Sequence, residues 1–164
     1  MEIGHFYFLS DDYFIDFPDS YLMSNKENVQ GATHDRPCFY AIYDNSTSLY
    51  WLIPISSQLT KFKAIYQKKI NRNGKCDTIA FGKVLGYEKA FLIQNMCPVI
   101  ARYIKNEYID SSANTPVRLD GVFEKELIKK AKKVLALHKK GIKLIFPDVR
   151  QIEKTLIEEI KNNS

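Results

Sequence analysis

Tyr-Trp-Leu-Ile-Pro-Ile-Ser-Ser-Gln-Leu-Thr-Lys-Phe-Lys-Ala-Ile-Tyr-Gln-Lys-Lys occupies positions 50–69, and the rest of the chain can be placed around it. Its first six residues form an apolar, β-rich run, which predicts a buried strand. Ser56 and Ser57 follow directly, where that strand should end. Apolar residues then recur at helical spacing, which predicts a helix over about residues 57–71 with Ser57 or Thr60 as its N-cap.

This junction between strand and helix suits a phosphate group. Backbone N–H groups at a helix start and the ammonium groups of lysines both favour an anion, and lysines occupy positions 61, 63, 68 and 69. The alternative is a capped amphipathic helix whose lysines are simply solvated. The stretch alone is compatible with both interpretations.

The strongest β-hairpin signal lies just before this helix, where Cys38–Asp44 and Ser48–Ile55 flank a short polar turn. Upstream, Ile3–Leu9 predicts a first strand, whereas the polar segment Ser24–Thr33 has no periodicity and predicts a loop. Further strand-like runs are Thr78–Val84, Ala90–Ile93 after a turn at Gly86–Lys89, and Ile142–Phe146.

Two more helices are predicted, over Gly121–Lys140 and from about Asp148 to Lys161, and Pro98–Ile104 could be a short helix or a strand. The 164 residues, 45% hydrophobic and 26% charged, predict one domain over residues 1–164. The order of elements predicts the α+β class, with a small, bent antiparallel sheet or barrel and inserted and appended helices.

The cysteines and histidines carry no sign of a metal site. Cys38, Cys76 and Cys97 form no C-x-x-C pair, and the three histidines lack metal-ligand spacing. We therefore expect no metal, no disulfide framework and a reducing, cytoplasmic location. No apolar run approaches the roughly 20 residues that a membrane span needs.

The net charge of +5 favours a polyanionic partner, although many basic proteins bind none. Aromatic residues make up 13% of the chain and lie beside lysines throughout. This mixture can stack bases and follow a phosphate backbone, although most of the rings are expected in the core.

Three segments carry a resemblance to a known family. They are His34-Asp35-Arg36-Pro37-Cys38-Phe39-Tyr40-Ala41-Ile42, then Tyr50–Ser57 followed by Lys61 and Lys63, and finally Ala90–Val99. Together they resemble the ToxN/AbiQ toxins of type III toxin–antitoxin systems, and the last segment resembles the CptN branch in particular. The resemblance runs from the first strand to the long basic helix.

The resemblance implies an SH3-like (Kid/MazF-type) bent antiparallel β-barrel with inserted and C-terminal helices. It implies a metal-independent, sequence-selective endoribonuclease toxin that needs no cofactor and cuts cellular or phage RNA. It also implies a small RNA antitoxin made as tandem pseudoknot repeats. The toxin would process these repeats and then be inhibited by them in a closed RNA–protein hetero-oligomer.

The family's catalytic groups correspond here to residues 34–38 and 56–63. The resemblance implies as catalytic residues His34, Ser56, Ser57, Lys61 and Lys63. The sequence departs from the ToxN pattern because His34 stands where ToxN has a tyrosine, and Cys38 where it has a lysine. Gln58-Leu59 replaces a Pro-Lys pair, so the lysine falls at position 61 or 63. Which group is the acid and which the base stays open.

Metal-free RNA cleavage uses the substrate's 2′-hydroxyl as the nucleophile and leaves a 2′,3′-cyclic phosphate and a 5′-hydroxyl. His34 could transfer a proton, the two serines could donate hydrogen bonds to the phosphate, and a lysine could neutralise the developing charge. Each has a structural alternative: a loop histidine bonded to backbone, a helix cap, and solvated lysines.

A second set of residues is predicted to bind RNA. Arg36 could grip a phosphate or a carboxylate such as Asp35, the amides of residues 94 and 95 could read base edges or close a turn, and the lysines of the long helix could follow a pseudoknot backbone or be solvated. The set is Arg36, Gln67, Lys68, Lys69, Gln94, Asn95, Lys129, Lys130, Lys133 and Lys140.

The sequence therefore predicts an endoribonuclease toxin held by an RNA antitoxin. One rival is a non-catalytic RNA-binding SH3-like module, which would bind RNA in a salt-dependent way without cutting it. Another is an SH3-like protein-interaction domain, which would carry no nucleic acid. A metal nuclease is disfavoured because no Asp, Glu and His cluster has the required spacing.

Overall fold

The computed structural model describes residues 1–164 and confirms the α+β class. The strands are β1 (Phe6–Leu9), β2 (Lys26–Val29), β3 (Ala32–Asp35), β4 (Pro37–Asp44), β5 (Leu49–Ser56), β6 (Ala80–Val84), β7 (Tyr87–Phe91), β8 (Cys97–Val99), β9 (Ile104–Glu107), β10 (Ile109–Asp110) and β11 (Thr115–Pro116). The α-helices are α1 (Asp11–Asp16), α2 (Leu59–Asn73), α3 (Gly121–Lys139) and α4 (Val149–Asn162).

The main sheet is antiparallel and follows the order β6-β7-β5-β4-β1-β9. β5 has two partners on one side, because its first half pairs with β8 and its last two residues pair with β7. It therefore connects the two halves of the sheet. β6 and β9 are the two ends of the order and do not pair with each other, so the predicted barrel does not close.

The predicted central hairpin is confirmed as β4–β5, with Asp44 opposite Leu49. An irregularity in the register between Tyr40 and Ile42 adds local twist to this pair. The hairpin β6–β7 reverses at Leu85 and Gly86, which both have positive φ. The turn predicted at Gly86–Lys89 is therefore too long, since β7 already begins at Tyr87.

The loop predicted at Ser24–Thr33 is wrong, because the segment forms most of the hairpin β2–β3. Gln30 and Gly31 both adopt positive φ and reverse the chain in two residues. This hairpin places Glu27 directly opposite His34. Its exposed polar residues hide the alternation that a half-buried strand would show.

Two other segments also differ from expectation. Pro98–Ile104 is neither one helix nor one strand, since it contains the end of β8, a single 3₁₀ turn at Ala101–Tyr103 and the start of β9. Ile142–Phe146 forms no strand. The Phe146 N–H donates to the backbone oxygen of Gln94 at 2.8 Å, outside any strand ladder.

Capping residues explain where α2 and α3 begin and where α2 ends. Gln58, not Ser57 or Thr60, is the N-cap residue of α2, so the predicted caps are wrong. The helix ends as predicted before Gly74, which has φ 73°. Asp120 caps α3 by accepting a hydrogen bond from the Val122 N–H at 3.0 Å.

Two hydrophobic clusters share β4 and β5. Trp51 and Leu127 of α3 lie in the first cluster, and Leu156 of α4 lies in the second. A Cβ atom at Gly82 would overlap the ring of Phe123, so a glycine is needed for α3 to pack against the hairpin β6–β7. This packing holds the hairpin in place at one wall of a surface cavity.

Candidate functional site

The corner between β5 and α2 is held by a buried carboxylate. Glu27 Oε1 accepts a hydrogen bond from Ser56 Oγ at 3.1 Å and another from the Ser57 N–H at 2.7 Å. Ser56 Oγ in turn accepts from the Gln58 N–H at 3.2 Å. Ser56 is fully buried, so it positions the corner and does not itself face a ligand.

Arg36 braces the same carboxylate from inside the protein. Only 4% of Arg36 and 8% of Glu27 is exposed, and Arg36 Nη1 lies 3.4 Å from Glu27 Oε2. The guanidinium also donates to the backbone oxygens of Ile55 at 2.7 Å and Ser24 at 2.8 Å. Arg36 is therefore committed to internal partners, which corresponds to the carboxylate alternative and not to a phosphate grip.

The hydroxyl of Ser57 meets a lysine from a different element. Lys89 Nζ, on β7, donates to Ser57 Oγ, and both side chains are partly buried. No carboxylate lies within ion-pair distance of Lys89, whereas Lys63 Nζ pairs with Glu88 Oε1 at 3.0 Å. The structure thus places the ammonium of Lys89, and not that of Lys63, at the serine.

A cavity of about 370 Å³ opens at this serine and lysine. His34, which is exposed on β3, lines the same cavity, as do Glu27 and Asp35. The other walls are apolar or aromatic: Phe8, Val29, Pro37, Ile55, Val84, Leu85, Tyr87 and Tyr108. A hydroxyl, an ammonium and an imidazole therefore line one cavity, next to a surface that can take a flat apolar group.

Charged neighbours shape the edges of this cavity. Hydrogen bonds from Lys26 and Lys105 hold the pKa of Asp35 below its usual value, so this carboxyl stays ionised. Burial raises the pKa of Tyr108, and Asp110 adds to this effect. The phenol of Tyr108 is accordingly neutral and can act as a hydrogen-bond donor.

Lys61 and Lys63, two of the predicted catalytic residues, do not line the cavity. Lys61 is exposed, with its ammonium 5.3 Å from the centre of the Phe62 ring. The structure brings together His34 and Ser57, with Ser56 behind them, and leaves these two lysines outside. The site residues that the sequence analysis missed are Lys89 and Glu27.

A second, basic cavity of about 630 Å³ lies between α2 and the region of Asp77 and Lys133. Its basic lining residues are Lys68, Lys69, Arg72, Lys75 and Lys133. Burial lowers the pKa of Lys69, whose Nζ donates to Thr78 Oγ1 and Gln94 Oε1, both at 2.7 Å. Lys133 pairs with Asp77 at 2.7 Å. We call this cavity the basic groove.

The other predicted RNA-binding residues have mixed positions. Gln94 and Asn95 are buried and engaged internally, with Asn95 Nδ2 donating to the Tyr21 oxygen at 2.8 Å. Gln67 is exposed on α2 and bonds to Asn71. Lys130 reaches the Cys76 oxygen at 3.5 Å, while Lys129 and Lys140 are exposed and lie outside the lining of the groove.

The protein shows neither a metal-binding cluster nor a membrane-spanning helix. No group of three or more His, Cys, Asp or Glu side chains has the arrangement of a metal site. None of the helices combines the length and the apolar character needed to cross a membrane. Cys38, which stands where ToxN has a lysine, is buried, and burial raises the pKa of its thiol far above the usual range.

Comparison with known proteins identifies the fold. No family model matches the sequence, and no curated protein matches it. Among solved structures the chain is similar to AbiQ, described as a lactococcal anti-phage endoribonuclease belonging to the type III toxin–antitoxin system. The TM-score is 0.67 at 14% identity, over 98% of this chain and 99% of that one.

The chain therefore has the fold of AbiQ over nearly its whole length. At 14% identity this agreement concerns the fold, and it is the fold that the resemblance of the three sequence segments to the ToxN/AbiQ toxins leads one to expect. The narrower resemblance to the CptN branch receives no support from this match.

Proposed function

We propose that this protein is an endoribonuclease toxin of a type III toxin–antitoxin system. The observation that carries the proposal is the contact of Lys89 Nζ with Ser57 Oγ in a cavity that His34 also lines. The AbiQ fold supports it, since that protein is described as an endoribonuclease. The SH3-like description of the sheet, the cytoplasmic location and the CptN branch stay predictions.

In the proposed reaction, the substrate's 2′-hydroxyl oxygen forms a bond to the adjacent phosphorus, and the bond from phosphorus to the 5′-oxygen breaks. The products are a 2′,3′-cyclic phosphate and a 5′-hydroxyl. One proton leaves the attacking hydroxyl, and one proton reaches the leaving oxygen. The imidazole of His34 is suited to proton transfer of this kind. Ser57 and Lys89 stabilise the charge that develops on the phosphoryl oxygens. This chemistry requires no metal.

Three buried groups have positioning roles in this proposal. Glu27 holds the Ser57 backbone and the Ser56 hydroxyl, and Arg36 holds Glu27. Because all three are inside the protein, the corner keeps its geometry when a substrate enters. Lys61 and Lys63 are replaced in the catalytic role by Lys89.

The basic groove is the proposed contact for the RNA antitoxin. Its lysines and Arg72 outnumber its one carboxylate, Asp77, and such a surface attracts a phosphate backbone. The antitoxin would be a pseudoknot repeat that the enzyme itself releases from a precursor and that then occupies both groove and site. A closed assembly of several proteins and RNAs follows if each repeat contacts two protein copies.

The test is to incubate purified, RNA-free protein with a mixed RNA pool in EDTA and to map the ends of the products. We expect discrete cuts that carry a 2′,3′-cyclic phosphate and a 5′-hydroxyl. Ser57→Ala protein, which keeps the backbone contact to Glu27, should bind the RNA and cut it far more slowly. Intact RNA with folded, RNA-binding wild-type protein would instead favour the non-catalytic RNA-binding module.

A further inference from the structure

The apolar half of the 370 Å³ cavity has no part in the reaction proposed above. Tyr87 and Leu85 stand at its rim, on the hairpin β6–β7, and 70% of Tyr87 and 45% of Leu85 is exposed. Tyr108 and Phe8 lie deeper, with ring centres 5.2 Å apart. Exposed aromatic and aliphatic groups beside a polar site are a common feature of ligand pockets.

The backbone at Leu85 adopts a conformation that is strained for a leucine. Leu85 has φ 51° in a two-residue turn, a position where asparagine or glycine is favoured. The leucine side chain does not offset this strain by burial, because almost half of the residue is exposed. Strained backbone that packing does not explain is found preferentially at sites that hold ligands.

The positions of the charged and apolar side chains in the cavity indicate the chemical composition of a ligand that would fit it. The polar side of the cavity holds the cation of Lys89, the hydroxyl of Ser57 and the imidazole of His34. The two carboxylates in the lining, Glu27 and Asp35, are already paired with cations: Glu27 with Arg36, and Asp35 with Lys26 and Lys105. Tyr87, Leu85 and Tyr108 form the apolar side. A ligand that fits both sides has an anionic group joined to a flat, apolar, ring-shaped group. A nucleotide unit of RNA has this composition.

We propose that Tyr87 and Leu85 form a nucleobase subsite, in which the base next to the cleaved phosphate stacks on the ring of Tyr87. The inference rests on the proposed ribonuclease function and adds to it the residues that hold the base. Stacking on an aromatic ring strengthens the binding of every base, with little preference for base identity. Tyr87 would therefore raise affinity and fix the register of the cut without requiring one base.

The test measures binding separately from cleavage. Homopolymeric 2′-O-methyl hexanucleotides cannot be cut by 2′-hydroxyl attack, and their dissociation constants can be measured by fluorescence anisotropy. We expect Tyr87→Ala to raise the dissociation constant about tenfold, a value within the range for one stacked base. Tyr87→Phe should retain the wild-type value, and an abasic hexamer of equal charge should bind wild type and Tyr87→Ala equally.

Tyr21→Ala is the matched control, because Tyr21 is about as exposed and lines a different cavity. If Tyr87→Ala binds the hexanucleotides as the wild type does, or if the wild type does not bind them, the subsite is refuted. If the wild type cleaves RNA while Tyr87→Ala binds the hexanucleotides as tightly as the wild type, the ribonuclease proposal stands and only the subsite is refuted. Tyr87-dependent binding without cleavage would refute only the ribonuclease.

Discussion

At the scale of single residues, Lys89 is the side chain whose removal should affect the chemistry most directly. In the proposed reaction its ammonium stabilises charge on the phosphoryl oxygens, and removing one such donor typically slows an enzyme by about 10²–10³-fold. We expect Lys89→Met to lower kcat by about 100-fold. Single-turnover cleavage of a short RNA measures this directly.

Lys83→Met is the control for that measurement, since Lys83 is an exposed lysine on the same hairpin and does not line the cavity. It should retain the wild-type rate. Equal decreases in both variants would indicate a general effect of reduced positive charge and would remove Lys89 from the catalytic role.

Glu27 should contribute to stability as well as to the site. Glu27→Ala leaves the buried guanidinium of Arg36 without its carboxylate, and breaking such a pair typically costs about 3–5 kcal/mol. We therefore expect the free energy of unfolding, measured in urea, to fall by about 3 kcal/mol. Glu88→Ala, which removes an exposed pair with Lys63, should change it by less than about 1 kcal/mol.

At the scale of elements, α3 presents a core face and a lysine face. Its buried apolar residues lie in the first cluster, and its lysines border the basic groove or the solvent. Three lysines of this helix and the residue after it are the expected antitoxin contacts: Lys129, Lys130, Lys133 and Lys140. Lys133 lines the basic groove, and the other three lie outside its lining.

Replacing these four lysines by glutamine should weaken binding of the proposed pseudoknot antitoxin. The slope of log K against log salt should become shallower by about 0.7–0.9 for each phosphate that the protein no longer neutralises. Cleavage of a short single-stranded RNA should persist. Lys154 and Lys161, exposed on α4, provide a matched pair of control substitutions. A variant that binds the repeat but no longer cleaves would mean that these lysines serve the active site and not the antitoxin contact.

At the scale of the whole molecule, the two hydrophobic clusters should unfold together because they share β4 and β5. Leu156 of α4 is fully buried in the second cluster, and Leu→Ala at such sites costs about 2–5 kcal/mol. Trp51 lies in the first cluster. We expect Leu156→Ala to shift the Trp51 fluorescence transition and the far-UV circular dichroism transition by the same amount. An unshifted fluorescence transition would show that the clusters unfold independently.

Local patterns in the sequence are sufficient for the elements near its centre. The run that forms β5, its hairpin with β4, and the helix that ends at Gly74 are all predictable because each depends on neighbouring residues. Ser57 emerges as a candidate from the junction of strand and helix, and His34 emerges through the family resemblance. Polar β2, by contrast, carries no apolar alternation, so its sequence predicts a loop where the structure has a strand.

The pairing of Ser57 with Lys89 depends on the tertiary structure. Thirty-two positions separate these residues, and the first two turns of α2 offer nearer lysines at 61 and 63. Those lysines belong to a helix that begins at Leu59, and they fall outside the cavity. β7 instead pairs with the end of β5 and brings its own lysine to the serine.

By itself, the sequence determined the secondary structure of its periodic segments, because apolar spacing and helix-end residues act over a few positions. Only the tertiary structure decided which charges meet. Glu27 is an ordinary acidic residue in a polar segment until the β2–β3 hairpin places it against Arg36 and Ser57. The contact of Glu27 with Ser57 joins residues 30 positions apart, and no local pattern of residues encodes it.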